Sequence, residues 1–222
     1  MQLVQAQGPS RCADSVVGEV LVVQVAHLLQ ASEEGQDRLE VLRLGDATVL
    51  VVADGSGGMS GGAHAAERAL EEISKAVRQR KLSERTSWLA MLEEADAALS
   101  RGPGQCAIVA TAIIAGRIVG ASVGDCGAWL IDEAGIEELT ADQVRKPLLG
   151  SGEAIPIAFE SLFGNATLLM ATDGLLKYAR RDQIAALTRG SDLQVATHAL
   201  TDLPRLRSGA LPDDIGVILC RR

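Results

Sequence analysis

The sequence predicts an α+β fold in which mostly antiparallel sheets are covered by helices. Apolar, β-branched runs occupy both ends and the middle of the chain, and two long helical patterns lie together between them. Strands and helices do not alternate one for one, which argues against a doubly wound parallel sheet. Neither an internal repeat nor a flexible linker divides the 222 residues. We therefore expect one domain, 1–222, whose first fifteen or so residues are loosely ordered.

The first half of the chain predicts strands followed by two helices. The apolar strand runs are residues 16–29, 39–44 and 48–53, and the helical patterns are residues 63–80 and 83–99. Residues 16–29 form either one strand or a bent pair, and Gly45-Asp46 is the expected turn between the next two strands. A glycine-rich segment, 54–62, leads into the helices. Ser83 is the expected N-cap of the second helix.

The second half returns to strands after a break at Arg101-Gly102-Pro103-Gly104. The next strand runs, which we expect to form a meander, are residues 106–115, 118–123 and 128–131. The remaining assignments are an irregular segment at 140–155, a buried strand at 167–172, two helices within 182–203 and a final strand at 215–219.

The composition limits what the protein can bind. Lys and Arg number 21 against 29 for Asp and Glu, which gives a net charge of −8. This acidic excess repels phosphate backbones and anionic membrane surfaces, so we expect neither nucleic-acid binding nor membrane binding. Hydrophobic residues make up 47% of the chain, which is enough for a buried core and excludes global disorder.

The sequence shows neither a membrane segment nor a cysteine framework. Its longest apolar run, near 49–53, is far below the ~18 residues of a membrane helix, and no leader pattern is visible. The four cysteines, without a C-x-x-C pair, are Cys12, Cys106, Cys126 and Cys220. Their scatter argues against a zinc cluster or a disulfide scaffold. We expect a cytoplasmic protein in which Cys106 and Cys126 are core thiols.

Five aspartates lie at the ends of apolar strand runs. Asp54, Asp125 and Asp173 follow such runs, and Asp37 and Asp213 precede them. One aspartate at a strand end is most often a turn or cap residue, but five of them can project from rigid elements into one cleft. Gathered carboxylates repel one another unless cations lie between them, and Mg²⁺ and Mn²⁺ prefer oxygen ligands. The pattern indicates a candidate site for divalent metal ions.

Several segments resemble motifs of the metal-dependent protein phosphatases, the type 2C or PPM family, and occur in that family's order. VVADGSGGMSGGAHAA, residues 51–66, resembles the DGxGG segment of the family. Similar matches are GQDR, GASVGDCGAWLI, ELTADQ, LLMATDGL and DDIGVILC. Together the matches extend from about residue 36 to residue 219. The resemblance implies two central antiparallel β-sheets flanked by helices, an α-β-β-α sandwich.

The resemblance also implies a bacterial-type serine/threonine phosphatase. Such an enzyme holds two Mn²⁺ or Mg²⁺ ions that share a bridging water or hydroxide, and this attacks phosphoserine or phosphothreonine without a covalent intermediate. The implied metal site consists of Asp37, Asp54, Gly55, Asp125, Asp173 and Asp213. Asp125 matches the position of a third, weaker metal in bacterial members of the family.

The matching positions also imply individual roles. Asp54 would bridge both ions, and the Gly55 carbonyl would bind one of them. Asp173 and Asp213 would complete the protein ligands of the other ion. Asp37 would hold ion-bound waters. The implied catalytic set is therefore Asp37, Asp54, Asp173 and Asp213.

The sequence departs from the family pattern where substrate would be held. Ser32 stands where the family usually has an Arg that grips the substrate phosphate, so this task falls to the metals or to another Arg, such as Arg38 or Arg11. The other departures are Gln36 for a frequent Glu, Ser56 for a His assigned as general acid, Gly127 for an Arg and Asp214 for an Asn. Since all five acidic positions are kept, we expect an active enzyme with an unusual grip on its substrate.

The implied partners are a phosphorylated protein substrate and a cognate serine/threonine kinase pathway, and we expect a monomer. Short segments between Asp125 and Asp173 predict a reduced flap and an open cleft. One alternative is a regulatory or binding module that keeps the fold but has weak or no catalysis, which Ser32, Gly127 and Asp214 motivate. A narrower alternative is a phosphatase for anti-sigma antagonist proteins, from the sporulation-type branch.

Overall fold

A computed structural model of the chain describes residues 23–33, 35–57 and 61–222. Within these residues the strands form two five-stranded antiparallel sheets. The first sheet has the spatial order β1 (Gln24–Gln30), β10 (Ile215–Arg221), β9 (Thr167–Ala171), β6 (Gly127–Ile131) and β7 (Ile136–Glu138). The second has the order β2 (Arg38–Leu44), β3 (Ala47–Ser56), β4 (Gln105–Ile114), β5 (Arg117–Val123) and β8 (Ile157–Leu162).

Helices cover the outer face of each sheet. Their bounds are α1 (Gly61–Ala76), α2 (Arg85–Leu99), α3 (Asp173–Leu176), α4 (Arg181–Thr188) and α5 (Leu193–Asp202). Helices α1 and α2 pack on the second sheet around the buried Trp88 and Ile73. Helices α4 and α5 pack on the first sheet around Ile184 and Leu200. The result is the α-β-β-α sandwich that the resemblance implied.

Strand β3 explains why the run at 49–52 is apolar without alternation. Val49 and Val51 pack in the cluster beneath α1 and α2. Leu50 and Val52 point the other way and pack in the cluster between the sheets. Because successive strand residues face opposite sides and both sides are buried here, every position in the run is apolar.

The predicted three-strand meander is wrong at its third strand. Strands β4 and β5 pair with each other, but β6 pairs with β7 and β9 in the other sheet. The chain crosses between the sheets at Gly124, Asp125 and Cys126. Gly124 has a φ of +86°, and a Cβ there would press against Ala107, so the crossing needs glycine.

Other predicted elements hold to within a few residues. Strand β7 and helix α3 were not predicted because they span only three and four residues, and β8 was not predicted either. Ser83 is not an N-cap: α2 starts after Glu84, which has extended backbone and no side-chain cap bond. Of the predicted strand at 16–29, residues 16–22 lie outside the described residues, as do Cys12 and Arg11.

Two further expectations concern the cysteines and the membrane. Cys106, Cys126 and Cys220 are buried free thiols, which confirms the prediction of core thiols for the first two. Burial raises the pKa of the Cys220 thiol to about 12. In the described part of the chain, no helix combines the length and the apolar character needed to span a membrane.

Candidate metal centre

Asp54 is fixed by the hydrogen-bonded register of the second sheet. Strand β3 does not end at Ala53 as predicted but continues to Ser56, with Asp54 opposite Ala107 and Gly55 opposite Cys106 on β4. Immediately beyond, the backbone of Gly55 lies against that of Gly62 in α1 so closely that a Cβ at Gly55 would overlap it. The Asp-Gly pair therefore occupies a rigid strand end beneath a helix.

Asp173 and Asp213 come from the first sheet. Asp173 lies two residues beyond the end of β9 and begins α3, and Asp213 lies two residues before β10, the neighbour of β9. A Cβ on Gly174 would overlap the carbonyl oxygen of Asp214, so only glycine lets the two segments approach this closely. The two aspartates thus lie at the same end of adjacent strands.

The structure brings most of the predicted carboxylates together. Oxygens of Asp54, Asp125 and Asp173 all lie within 4.8 Å of one another. Asp213 and Gly55 join them in lining a cavity of about 580 Å³. Asp125 lies in the segment that connects β5 of one sheet to β6 of the other, so the cavity lies where the two sheets meet.

Asp37 lies behind this cavity rather than in its lining. It directly precedes β2, and only 3% of the residue is exposed. Its Oδ2 atom is buried and has no hydrogen-bond partner among the described residues. The charges of Asp213 and Asp173 act on its carboxyl group, so it belongs to the same electrostatic cluster.

Burial and mutual repulsion raise the pKa values of the cluster. Burial, followed by the charges of Asp37 and Asp173, raises the pKa of Asp54 to about 9. Burial also raises the pKa of Asp37 to about 7, against the lowering effect of a hydrogen bond with Thr172. The pKa of Asp173 is raised by burial and then by the charge of Asp125. Without cations, Asp54 therefore keeps its proton at neutral pH, and Asp37 is protonated in part.

The residues present fit divalent cations. The donor set consists of carboxylates with a nearby backbone carbonyl, which is the oxygen-rich chemistry that Mg²⁺ and Mn²⁺ prefer. A cation, or a water bound to one, would supply the partner that Asp37 Oδ2 lacks among the described residues. It would also remove the repulsion that raises the pKa values of Asp54 and Asp173.

Asp214 has a role that the sequence did not reveal. Asp214 is 3% exposed and does not line the acidic cavity, yet its negative charge acts on the carboxyl group of Asp37. It accepts backbone N–H bonds from Ser32 at 2.5 Å, from Asp37 at 3.2 Å and from Gln36. Burial alone would raise its pKa, but these bonds lower it overall. Asp214 thus holds the loop that positions Asp37.

Two of the positions that depart from the family pattern lie away from the carboxylates. Ser32 lies in the loop held by Asp214 and lines a separate cavity of about 880 Å³ that shares only Asp213 with the acidic one. Gly127 begins β6, where a Cβ would overlap the side chain of Leu176. Ser56, in contrast, is exposed and lines the acidic cavity.

Arg145 is the cavity residue that sequence reasoning missed. It lies in the irregular segment between β7 and β8, and its Nη2 and Nε atoms donate to Asp125 Oδ2 at 2.6 and 2.9 Å. Its Nη2 is also 4.0 Å from Asp173 Oδ2. Arg38, considered as a phosphate ligand, instead donates to the backbone oxygens of Gly35 and Asp37. A basic pair, Arg145-Lys146, in an otherwise featureless segment was the available signal.

The sequence matches no protein-family model and has no significant match among curated proteins. Similar solved structures are bacterial phosphatases. The Streptococcus agalactiae (S. agalactiae) serine/threonine phosphatase has a TM-score of 0.80 at 18% identity, covering 90% of this chain and 99% of that one. Stp1 from Staphylococcus aureus has a TM-score of 0.75 at 17% identity, covering 91% and 96%.

A third similar structure is the catalytic domain of the serine/threonine protein phosphatase PstP in complex with two manganese ions. Its TM-score is 0.76 at 15% identity, and the match covers 90% of this chain and 97% of that one. At such identities the likeness concerns the fold. It agrees with the two antiparallel sheets and flanking helices described above. The chain therefore has the fold of these bacterial serine/threonine phosphatases.

Proposed function

We propose that the protein is a metal-dependent phosphatase that hydrolyses phosphoserine and phosphothreonine in proteins. The observation that carries this proposal is the cluster of Asp54, Asp125 and Asp173 oxygens in the acidic cavity, which lie within 4.8 Å of one another. When bound, two Mn²⁺ or Mg²⁺ ions would lower the pKa of a shared water and offset charge on the phosphate oxygens.

The chain's own residues would hold these ions from both sheets. Asp54 would bridge them and the Gly55 carbonyl would bind one of them; strand pairing, which fixes both residues at the cavity, supports these roles. Asp173 and Asp213 would bind from the opposite layer, and Asp37, buried behind them, would accept from ion-bound waters. Asp125 would serve a third ion.

The proposed setting is a cytoplasmic monomer that opposes a serine/threonine kinase pathway. Its substrate would be a phosphorylated protein, and neither nucleic acid nor membrane would be bound. The cavity is bordered by an exposed irregular segment rather than by an additional domain. Specificity would therefore come from contacts beyond the phosphorylated residue.

The test is hydrolysis of p-nitrophenyl phosphate and a phosphothreonine peptide with Mn²⁺, Mg²⁺ or EDTA. Activity should require the metal and be lost in Asp54→Asn and Asp173→Asn. Asp182→Asn is a matched control, because Asp182 is an exposed aspartate paired with Arg180 on α4. Turnover that persists in EDTA, or that survives in Asp54→Asn, would contradict the proposal.

The alternative, a binding module with little catalysis, is favoured by one observation: Arg145 is paired with Asp125, a carboxylate of the cluster. A protein that binds Mn²⁺ and phosphoprotein but turns over neither substrate would support this alternative. In that case Asp54→Asn would leave partner affinity intact, whereas in an enzyme the same change removes turnover.

A further inference from the structure

Arg145 is held at the cavity by a segment that is anchored on both sides. On one side, Ser122 on β5 donates to the Gln143 side chain at 2.9 Å, and that side chain donates to the backbone oxygen of Ile155. On the other side, the backbone N–H groups and carbonyls of Leu149 and Cys106 pair reciprocally at 3.0 Å. Cys106 is opposite Gly55 on β3, so one strand positions both the acidic cluster and the segment that carries Arg145.

A third anchor lies just beyond Leu149. The carboxylate of Asp96, in α2, accepts backbone N–H bonds from Gly150 at 2.6 Å, Gly152 at 3.1 Å and Ala154 at 3.1 Å. These bonds fix the return of the chain towards β8. Arg145 is therefore presented by a fixed backbone rather than by a free loop.

The guanidinium of Arg145 has donors left to offer. Its Nε and Nη2 donate to Asp125, whereas Nη1 donates to no residue in the described ranges. The side chain is 71% exposed and lines the acidic cavity, so its free edge faces solvent where a ligand would enter. A planar guanidinium with such an edge matches the oxygens of a phosphate group, which it can bind with two parallel hydrogen bonds.

The charge of the cavity calls for such a group. Its four lining carboxylates and Asp37 behind them would, with two divalent cations, leave a net charge of −1, which repels a phosphate dianion. Of the described residues that line the cavity, only Arg145 and Lys146 are cationic. Lys146 offers a point charge, while Arg145 offers a fork that its partner Asp125 holds in one orientation.

We propose that Arg145 binds the phosphate group of the substrate at the mouth of the acidic cavity. This inference rests on the proposed phosphatase function, and it assigns the phosphate grip to a segment distant in sequence from Ser32. Asp125 has two tasks in this arrangement: it orients the guanidinium and it keeps Arg145 beside the cluster.

The test measures binding of phenylphosphonate, a phosphate-monoester analogue that is not hydrolysed, to the Mn²⁺-loaded protein by calorimetry. Arg145→Ala should weaken binding by about tenfold or more, as expected for lost charge-assisted hydrogen bonds. Arg145→Lys should recover only part of the affinity, and Lys146→Ala should lose less than Arg145→Ala. Arg180→Ala is the matched control, since Arg180 is 75% exposed and paired with Asp182 outside the cavity.

A second measurement separates phosphate binding from a structural role. Removing a cation beside Asp125 and Asp173 reduces repulsion towards metal ions, so Arg145→Ala should bind Mn²⁺ at least as tightly as the wild type. Unchanged phenylphosphonate affinity in Arg145→Ala would overturn the inference. So would a loss of Mn²⁺ affinity that accounts for the whole loss of phenylphosphonate binding.

The outcome for Arg145 is distinguishable from the outcome for the proposed function. A wild-type protein that binds phenylphosphonate through Arg145 but hydrolyses no phosphate ester would support the inference while contradicting the phosphatase. If the wild type hydrolyses p-nitrophenyl phosphate and Arg145→Ala does so with the same KM, the result would support the phosphatase and overturn the inference.

Discussion

Two groups of aspartates, buried or half-buried in this protein, have opposite surroundings. Asp96 and Asp214 each accept three backbone N–H bonds, so the chain itself satisfies their negative charge. Asp54 and Asp37 face other carboxylates, and Asp37 Oδ2 has no hydrogen-bond partner among the described residues. The first group stabilises loops, whereas the second is balanced only by protons or cations from outside.

The difference shows how one residue type serves structure in one place and chemistry in another. A carboxylate surrounded by backbone donors keeps its charge and loses its availability to ligands. A carboxylate surrounded by other carboxylates remains able to bind a cation, and it destabilises the fold until a cation is bound. Substitutions in the two groups should therefore have opposite signatures in stability and in metal binding.

The largest expected effect is on catalysis, at Asp54. Asp54→Asn should reduce kcat by about a thousandfold or more, because the proposed bridge between metals is lost. The same change should raise the melting temperature of the metal-free protein, because folding no longer requires proton uptake at a carboxyl group that is ionised in the unfolded chain. Turnover assays and thermal unfolding in EDTA check both signs. A fall in the stability of the metal-free variant would contradict the view that Asp54, unlike Asp96 and Asp214, destabilises the metal-free fold.

The next largest effect is on stability, at Asp214. Asp214→Ala should leave backbone N–H groups of the 32–37 loop unpaired and cost about 3 kcal/mol. This corresponds to a drop in melting temperature of roughly 6–12 °C. Mn²⁺ affinity should fall as well, since the loop positions Asp37. Calorimetry measures both, and Asp182→Ala on the surface should change neither.

A smaller effect is expected at Asp96, which shares the chemistry of Asp214 but lies away from the cluster. Asp96→Ala should cost about 2 kcal/mol, because it unpins residues 150–154. Mn²⁺ affinity should be unchanged. Thermal unfolding and Mn²⁺ titration of the same sample test these two results. A loss of Mn²⁺ affinity would contradict the assignment of Asp96 to loop stabilisation alone.

The last expected effect is on the pH dependence of the metal-free protein. Asp54 ordinarily loses its proton near 3.8, but in the fold its pKa is about 9. Between these values the folded state binds more protons than the unfolded state, so the free energy of unfolding falls as pH rises. The melting temperature in EDTA should be roughly 8 °C or more lower at pH 8 than at pH 5. Asp54→Asn should flatten this slope; an unchanged slope would assign it to other groups.

The elements that the sequence predicted are those with local signals. Residues 49–53 and 215–219 are apolar enough to identify strands, and the spacing in 63–80 and 83–99 identifies helices. The placement of Asp54, Asp173 and Asp213 followed from those strands and from the motif order. Their metal-binding roles remain predictions.

What the sequence did not predict depends on contacts between distant segments. Strand β6 pairs with β9, which lies about forty residues further along the chain. No local sequence pattern indicates a pairing over that distance. Asp214 and Asp96 satisfy N–H groups 182 and 58 residues distant at their furthest. Arg145 reaches Asp125 across 20 residues of chain. Ser83 has cap chemistry, but the helix begins two residues later, at Arg85.

The position of the acidic cavity has a mechanical consequence. Asp54 belongs to one sheet, Asp173 and Asp213 to the other, and Asp125 to the chain that crosses between them. The site thus lies between the two sheets, and bound ions would link one sheet to the other. Sliding one layer by an ångström would pull its donors out of reach of ions held by the other. A substitution that shifts the packing of one sheet against the other would therefore weaken ion binding without altering any donor.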